Sequence, residues 1–157
     1  MMRRAFTTAQ LLTNVLFHLA ASLEYVQLLP QEAQLVHAQT GGESSLESMG
    51  QLKKIDSFIK ESQRHFTAAA ITFHRKRLSA IILSEGTYLP ANTCYLFSPS
   101  AAISGDPSTY EIPEEFDSLR LDMLQQRTPE NDMRYQLTST SSTQMHFGLG
   151  RHVCPGR

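Results

Sequence analysis

Cysteine is scarce in this 157-residue chain, which has only Cys94 and Cys154. Two thiols in a domain of ordinary length do not make a disulfide framework, although a single bridge between them stays open. Sparse cysteine suits a reducing compartment. Neither thiol has a second one close by, so the paired-cysteine pattern of zinc sites is missing. The histidines His18, His37, His65, His74, His146 and His152 show no HExxH spacing. Surface or packing roles suit each of them better than metal ligation. Charge of one sign is also lacking: Lys and Arg number 14 against 15 Asp and Glu, for a formal net charge of -1. That balance excludes the basic footprint of a nucleic-acid binder and a charged tail. No apolar run reaches the ~20 residues of a membrane helix, and no internal repeat recurs. With 41% hydrophobic and 18% charged residues, the chain still has a globular composition.

The N-terminus supports two readings. Arg3 and Arg4, followed by AFTTAQLLTNVLFHLAAS with no acid before Glu24, have the flanks of a signal or transit peptide. Thr7, Thr8, Gln10, Thr13, Asn14 and His18 interrupt that apolar core. Leu11, Leu12, Val15, Leu16 and Leu19 fall on one helical face, so periodicity favours an amphipathic helix from Thr7 to Ala20. Ser22 is a candidate cap for a second helix running through Glu24, Tyr25 and Val26 toward Leu35 and Val36. Pro30 removes a backbone donor inside it, which predicts a kink or a break. Gly41-Gly42 ends this half, and Ser44 or Ser45 can open a short turn that stops at Gly50. Gln51 to Arg64 is expected to be a third helix, with Leu52, Ile55, Phe58 and Ile59 buried and Glu61 one turn from Arg64.

Past Arg64 the period changes. Apolar runs at 70–73, 80–83 and 93–97 are separated by Ser84-Glu85-Gly86 and Pro90-Ala91-Asn92, which predicts strands of a small sheet. Cys94, in the last run, reads as core packing. From Ser98 to Gln144 the chain is rich in Pro, Ser, Thr, Asp and Glu, which predicts a long, mostly irregular connection with short helical turns. The expected class is mainly α with a small β-sheet (α+β).

The densest chemistry lies in FGLGRHVCPGR, from Phe147 to Arg157. Gly148 and Gly150 permit positive φ and let the backbone lie flat beneath a planar ligand. Backbone N–H groups in such a loop can stabilise a thiolate, and a metal-ligating cysteine needs that help because a free thiol ionises only near pH ~8.5. Arg151 or His152 can reach an anionic group on the ligand. Pro155 suits the first turn of a helix, whose dipole would favour negative charge at Cys154.

This loop resembles the haem-binding loop of the cytochrome P-450 family. Phe147, Gly150, His152, Cys154 and Gly156 fill the pattern in register, with His152 where arginine is commoner. Two more motifs match in the same order. Glu61-Ser62-Gln63-Arg64 resembles the family's Glu-x-x-Arg helix motif. Phe116-Asp117-Ser118-Leu119-Arg120-Leu121 resembles its Pro-rich segment, with Arg120 in the arginine position. The resemblance implies that Cys154 ligates the iron of haem b and that Arg75 binds a haem propionate. It also implies that Glu61, Arg64 and Arg120 form a triad holding the meander in place. Thr7-Thr8 resembles the end of the oxygen-groove motif, with Phe6 replacing its polar partner. The segment His65-Phe66-Thr67-Ala68 lacks the prolines that commonly follow Glu-x-x-Arg.

Taken singly, each residue has a plainer reading: a surface ion pair for Glu61 and Arg64, helix surface for Thr7, a solvated strand position for Arg75 and a structural cysteine for Cys154. Their joint order favours the family reading. KKIDSFIKESQR and HFGLGRHVCPGR look most like fungal secondary-metabolism members of the ent-kaurene oxidase-like group. The resemblance implies a truncated C-terminal part of the family fold over residues 1–157: helical over 7–64, a small sheet over 70–97, a meander over 98–146 and a haem-thiolate loop over 147–157. It implies a monooxygenase acting on an apolar, terpenoid-like molecule, with NADPH-cytochrome P-450 reductase as partner and no nucleic acid. The expected location is the cytosolic face of the endoplasmic-reticulum membrane; the sequence itself shows no transmembrane anchor. A catalytically inactive remnant or a non-enzymatic interaction fragment is the alternative. Apolar helix faces without partners predict marginal stability.

Overall fold

The structure, a computed structural model, describes residues 2–67, 71–92 and 95–157. Four helices come first: α1 (Met2–Ala21), α2 (Glu24–Gln39), α3 (Leu46–Gly50) and α4 (Lys53–His65). Helices α1, α2 and α4 pack on one another, and α4 also receives α5 (Ser100–Ser104) and α6 (Arg120–Arg127) from later in the chain. Helix α7 (Pro129–Arg134) packs on α6 and begins with proline in its first turn, where the missing N–H costs nothing. The connection expected to be mostly irregular thus carries three helices, and α6 is longer than a single turn.

Helix α1 starts earlier than its apolar pattern. Leu11, Val15 and Leu19 are half-buried, but Leu12 and Leu16 are 57% and 55% exposed. The apolar stripe is wider than the strip that α4 covers. Helix α2 runs through Pro30 without a break, so of the two expected outcomes the break does not occur. Pro30 is exposed, so the carbonyl it leaves without a donor can be served by water. Ser22 does not cap this helix; Leu23 holds that position with no side-chain bond, and the turn closes through Tyr25 N–H donating to the Ser22 carbonyl at 3.1 Å. Ser45, by contrast, caps α3 reciprocally: the Ser48 N–H donates to Ser45 Oγ at 3.1 Å, and the Ser45 N–H to Ser48 Oγ at 2.8 Å.

Helix α4 begins at Lys53, two positions later than its pattern suggested, because its N-terminal donors are met from another helix. The N–H groups of Lys54 and Ile55 each donate at 2.9 Å to the carboxylate of Glu32 in α2. A carboxylate there also complements the helix dipole. Of the expected apolar face, Phe58 is buried, whereas Leu52, Ile55 and Ile59 are half-buried. Most of the helix's buried side chains are polar: Ser57, Lys60, Glu61, Ser62, Gln63 and Arg64.

Strand β1 (Thr72–Lys76) pairs antiparallel with β4 (Tyr95–Ser98), with Arg75 opposite Leu96 and an irregularity between Thr72 and Arg75. Strand β2 (Ile81–Ile82) pairs antiparallel with β3 (Tyr88–Leu89), and this pair lies between β1 and β4 in sequence. Among the described residues the expected small sheet is two two-stranded antiparallel ladders. Cys94, expected in the core, lies outside the described residues. No helix among the described residues is long and apolar enough to cross a membrane.

Replacing Pro30 with alanine should raise the unfolding free energy by about 1–3 kcal/mol, because the interior proline opposes an otherwise continuous helix. Urea denaturation of Pro30→Ala against the parent checks this; an unchanged or lower midpoint contradicts it.

Candidate functional site

Two clusters of chemistry emerge, one built on α4 and one on the cysteine loop. In the first, Glu61 is fully buried. Arg64 Nε and Nη2 donate to its two carboxylate oxygens at 2.8 and 2.7 Å. Arg120 Nε donates to Oε1 at 3.1 Å, and the Asp117 N–H reaches the same oxygen at 3.3 Å. The spacing of Glu61 and Arg64 puts both on one helical face, so the bidentate pair forms within α4. Arg120 arrives from the start of α6, whose backbone Ser57 fixes: Ser57 Oγ donates to the Ser118 carbonyl at 2.6 Å and accepts from the Asp122 N–H at 3.1 Å.

Two cations now face one anion, and main-chain carbonyls absorb the remaining donors. Arg64 Nη1 donates to the carbonyls of Ser104 and Pro113 at 2.8 and 2.7 Å. Arg120 donates to the carbonyls of Glu111, Ile112 and Glu115. The guanidinium of Arg64 also lies 5.0 Å from the Tyr110 ring centre. Burial pushes the Tyr110 hydroxyl above its ordinary value, and that hydroxyl donates to the Thr143 carbonyl at 3.2 Å. The frame thus spans from α4 through the 104–115 segment to the chain just before the cysteine loop.

In that loop the Cys154 N–H donates to the Phe147 carbonyl at 2.6 Å, closing the loop on itself. Gly148 has φ +84°, and a Cβ there would lie 3.2 Å from the His152 carbonyl oxygen and 3.4 Å from Val153 Cα. A side chain at 148 would be strained in its backbone and crowded by main chain. Gly150 is also left-handed, at φ +67°, and opens a 3-10 turn over Gly150–His152. A Cβ on Gly156 would lie 4.0 Å from Cys154 Sγ, an ordinary contact, so the sulfur rests over this glycine. Pro155 and Gly156 form a turn, so the helix dipole expected behind Cys154 is not part of the described structure.

Cys154 is half-buried and lines two adjoining hollows. One, of about 270 Å³, lies between α1 and the loop; Thr7, Thr8 and Leu11 wall one side, Phe147 and Cys154 another. The second, of about 560 Å³, is walled by Arg75, Phe147, Gly148, His152 and Cys154. The structure therefore brings Thr7 to the same cavity as Cys154, and Arg75 and His152 to the other. Gly150 and Gly156 shape the loop without lining either space. Glu61, Arg64 and Arg120 meet one another and line neither hollow. Among the described residues, no three His, Cys, Asp or Glu side chains converge as a metal-binding group.

His146 lines both hollows, yet only a packing role was legible for it in the sequence. Burial pushes its imidazole down to about 4, and the nearby charges of Lys60 and Arg64 add to the effect. A lone histidine before a glycine-rich loop carries no spacing signal that would have marked it.

With this geometry in place, comparison with known proteins is direct. The family model for Cytochrome P450 matches residues 6–157. The chain is similar to cytochrome P450 monooxygenase BOA4 of Botryotinia fuckeliana, 37% identical over 152 residues, covering 96% of this chain and 30% of that protein. It is also similar to cytochrome P450 monooxygenase ltmK of Epichloe festucae, 35% identical over 153 residues, with 96% and 28% covered. A third relative is cytochrome P450 monooxygenase ccsG of Aspergillus clavatus, 36% identical over 151 residues, with 96% and 30% covered. The chain belongs to the cytochrome P450 family. It spans 28% to 30% of the length of these curated relatives.

Two outcomes follow. Glu61→Gln should lower the unfolding free energy by about 3–5 kcal/mol, since it leaves two buried guanidiniums without their anion; a loss under about 1 kcal/mol in urea titration contradicts the frame. For His146, the folded value of about 4 lies below the ordinary 6.5. Between these, the unfolded chain binds the proton and the folded chain does not, so this residue's contribution makes stability fall as pH drops through that window. His146→Gln should flatten the fall, read as denaturation midpoint against pH; an unchanged slope contradicts it.

Proposed function

We propose that these residues form the haem-ligating wall of a monooxygenase of secondary metabolism, acting on an apolar, terpenoid-like molecule. The observation that carries the reading is the position of Cys154: one thiol, half-buried, at the junction of two hollows and backed by glycine. Among the described residues no three His, Cys, Asp or Glu side chains converge here, so the donor set suits a single thiolate holding an iron that a porphyrin carries rather than an all-protein metal site. Cys154 would hold the iron of haem b through its thiolate. Phe147 would pack beside the sulfur, and Gly150 and Gly156 would keep the loop close to the ring plane. Arg75 and His152, which share a hollow with Cys154, would meet the propionates. Thr7, across the other hollow, would offer a hydroxyl to the oxygen side.

Glu61, Arg64 and Arg120 would hold the meander that leads into the loop. Bound haem would supply the reductive activation of O2 and the transfer of one oxygen atom to a C–H bond, with electrons delivered from NADPH through NADPH-cytochrome P-450 reductase. The family's usual place, the cytosolic face of the endoplasmic-reticulum membrane, is the proposed location. A second reading, an inactive remnant or interaction fragment, is favoured by the exposed apolar side chains Phe6, Phe17 and Leu23, at 71%, 64% and 73% exposure.

Haemin titration of the purified chain separates these readings, followed by reduction under CO. The expected result is a Soret band of a thiolate-ligated haem that disappears in Cys154→Ser while the fold persists. A well-folded chain that takes up no haemin supports the second reading and overturns the first.

A further inference from the structure

Helix α4 buries a lysine as well as its carboxylate. Lys60 is 2% exposed, one residue before Glu61 on α4. Its ammonium points away from the carboxylate cluster and donates to the main-chain carbonyls of Gln136 and, at 3.4 Å, Ser139. One turn earlier on the same face, Asp56 Oδ2 accepts the Leu137 N–H at 2.7 Å. A donor and an acceptor at this i, i+4 spacing thus take hold of alternate polarities of one short stretch of backbone. Burial pushes Lys60 down to about 8, against the opposing pull of Asp56, and the same burial pushes Asp56 up. The pair carries a desolvation cost that its contacts with this segment offset.

From that stretch to the cysteine the chain has little slack. Ser141 and Gln144 exchange backbone hydrogen bonds at 3.0 and 3.2 Å, and the Thr143 carbonyl is held by Tyr110. The Gly148 N–H donates to the Met145 carbonyl at 2.9 Å, and Phe147 then accepts from Cys154. Burial above all, and the charges of Lys60 and Arg64 after it, lower the His146 imidazole at the entry to the loop.

We propose that Asp56 and Lys60 are positioning residues: they grip the backbone at 136–139 from both polarities and thereby set the placement of the Cys154 loop, independently of the Glu61 cluster. The purpose of that placement rests on the haem-thiolate reading; the grip itself does not.

Amide hydrogen exchange of the whole chain, without haem, tests it. Lys60→Met keeps the length and removes the donors. Exchange should accelerate about tenfold or more over 136–139 and over 145–154, while α2 keeps its protection. Lys60→Arg, which keeps the donors, should restore both segments, and Asp56→Asn should loosen the same two. Acceleration confined to 136–139, or absent, overturns the proposal. If Lys60→Met unfolds throughout, Asp56→Asn decides: protected 145–154 amides in that variant overturn the proposal equally. Haemin titration of the same variants separates the two claims. Loss of loop protection with no haem uptake by the parent chain leaves the clamp standing and removes the haem reading. Tight uptake by the parent chain with loop exchange unaffected by either substitution does the reverse.

Discussion

Glu61 has no exposure at all, and an anion so placed is tolerable only because Arg64 and Arg120 both reach it. The remainder of the molecule follows from that requirement. Two guanidiniums bring more donors than one carboxylate accepts, so the surplus must find oxygen elsewhere. It finds it in the carbonyls of Ser104, Glu111, Ile112, Pro113 and Glu115. A segment with no regular secondary structure over most of its length is thereby fixed, because moving it would strand buried donors.

Helix α4 extends this logic along its whole length. Its start is capped by Glu32 from α2, and Lys53 reaches Asp132 of α7 at 2.6 Å. Ser57 holds the entry to α6, and Asp56 with Lys60 holds 136–139. The buried hydrophobic side chains among the described residues are Val36, Phe58, Tyr110 and Leu121, whereas the buried polar ones include seven of α4 and its near neighbours in space: Ser57, Lys60, Glu61, Ser62, Arg64, Ser118 and Arg120. Such a frame specifies geometry more strongly than it stabilises, since polar burial returns little net free energy. Its contacts extend along the chain as far as Thr143, just before the cysteine loop. On α1, by contrast, Phe6, Leu12, Leu16 and Phe17 remain uncovered.

How much of this could be read from the sequence depends on the kind of signal. The cysteine loop was legible because glycines at 148 and 150 flanking a route to Cys154 imply a backbone shape, and φ at both is indeed left-handed. The meeting of Glu61, Arg64 and Arg120 was legible through residue identities in a recognisable order. The capping of α4 was not: Glu32 lies in another helix, and no local pattern links it to Lys54. Lys60 and Asp56 act on main-chain carbonyls and amides, which every residue has, so their targets leave no trace in side-chain identity. Helical periodicity put Leu12 and Leu16 on the apolar face of α1, but it reports which face is apolar, not how much of it a neighbour covers. The break allowed for at Pro30 does not occur, and the residue is exposed, where water can serve the carbonyl left without a donor.

A double-mutant cycle between Glu61 and Arg120 tests the central claim most directly, with stability read by urea denaturation of Glu61→Gln, Arg120→Gln and the combined variant. If the carboxylate and the distant guanidinium form one buried unit, the second substitution costs far less after the first, and the coupling reaches about 2 kcal/mol or more. Additive losses within about 0.5 kcal/mol would show that the two side chains act separately, and the frame described above would not exist.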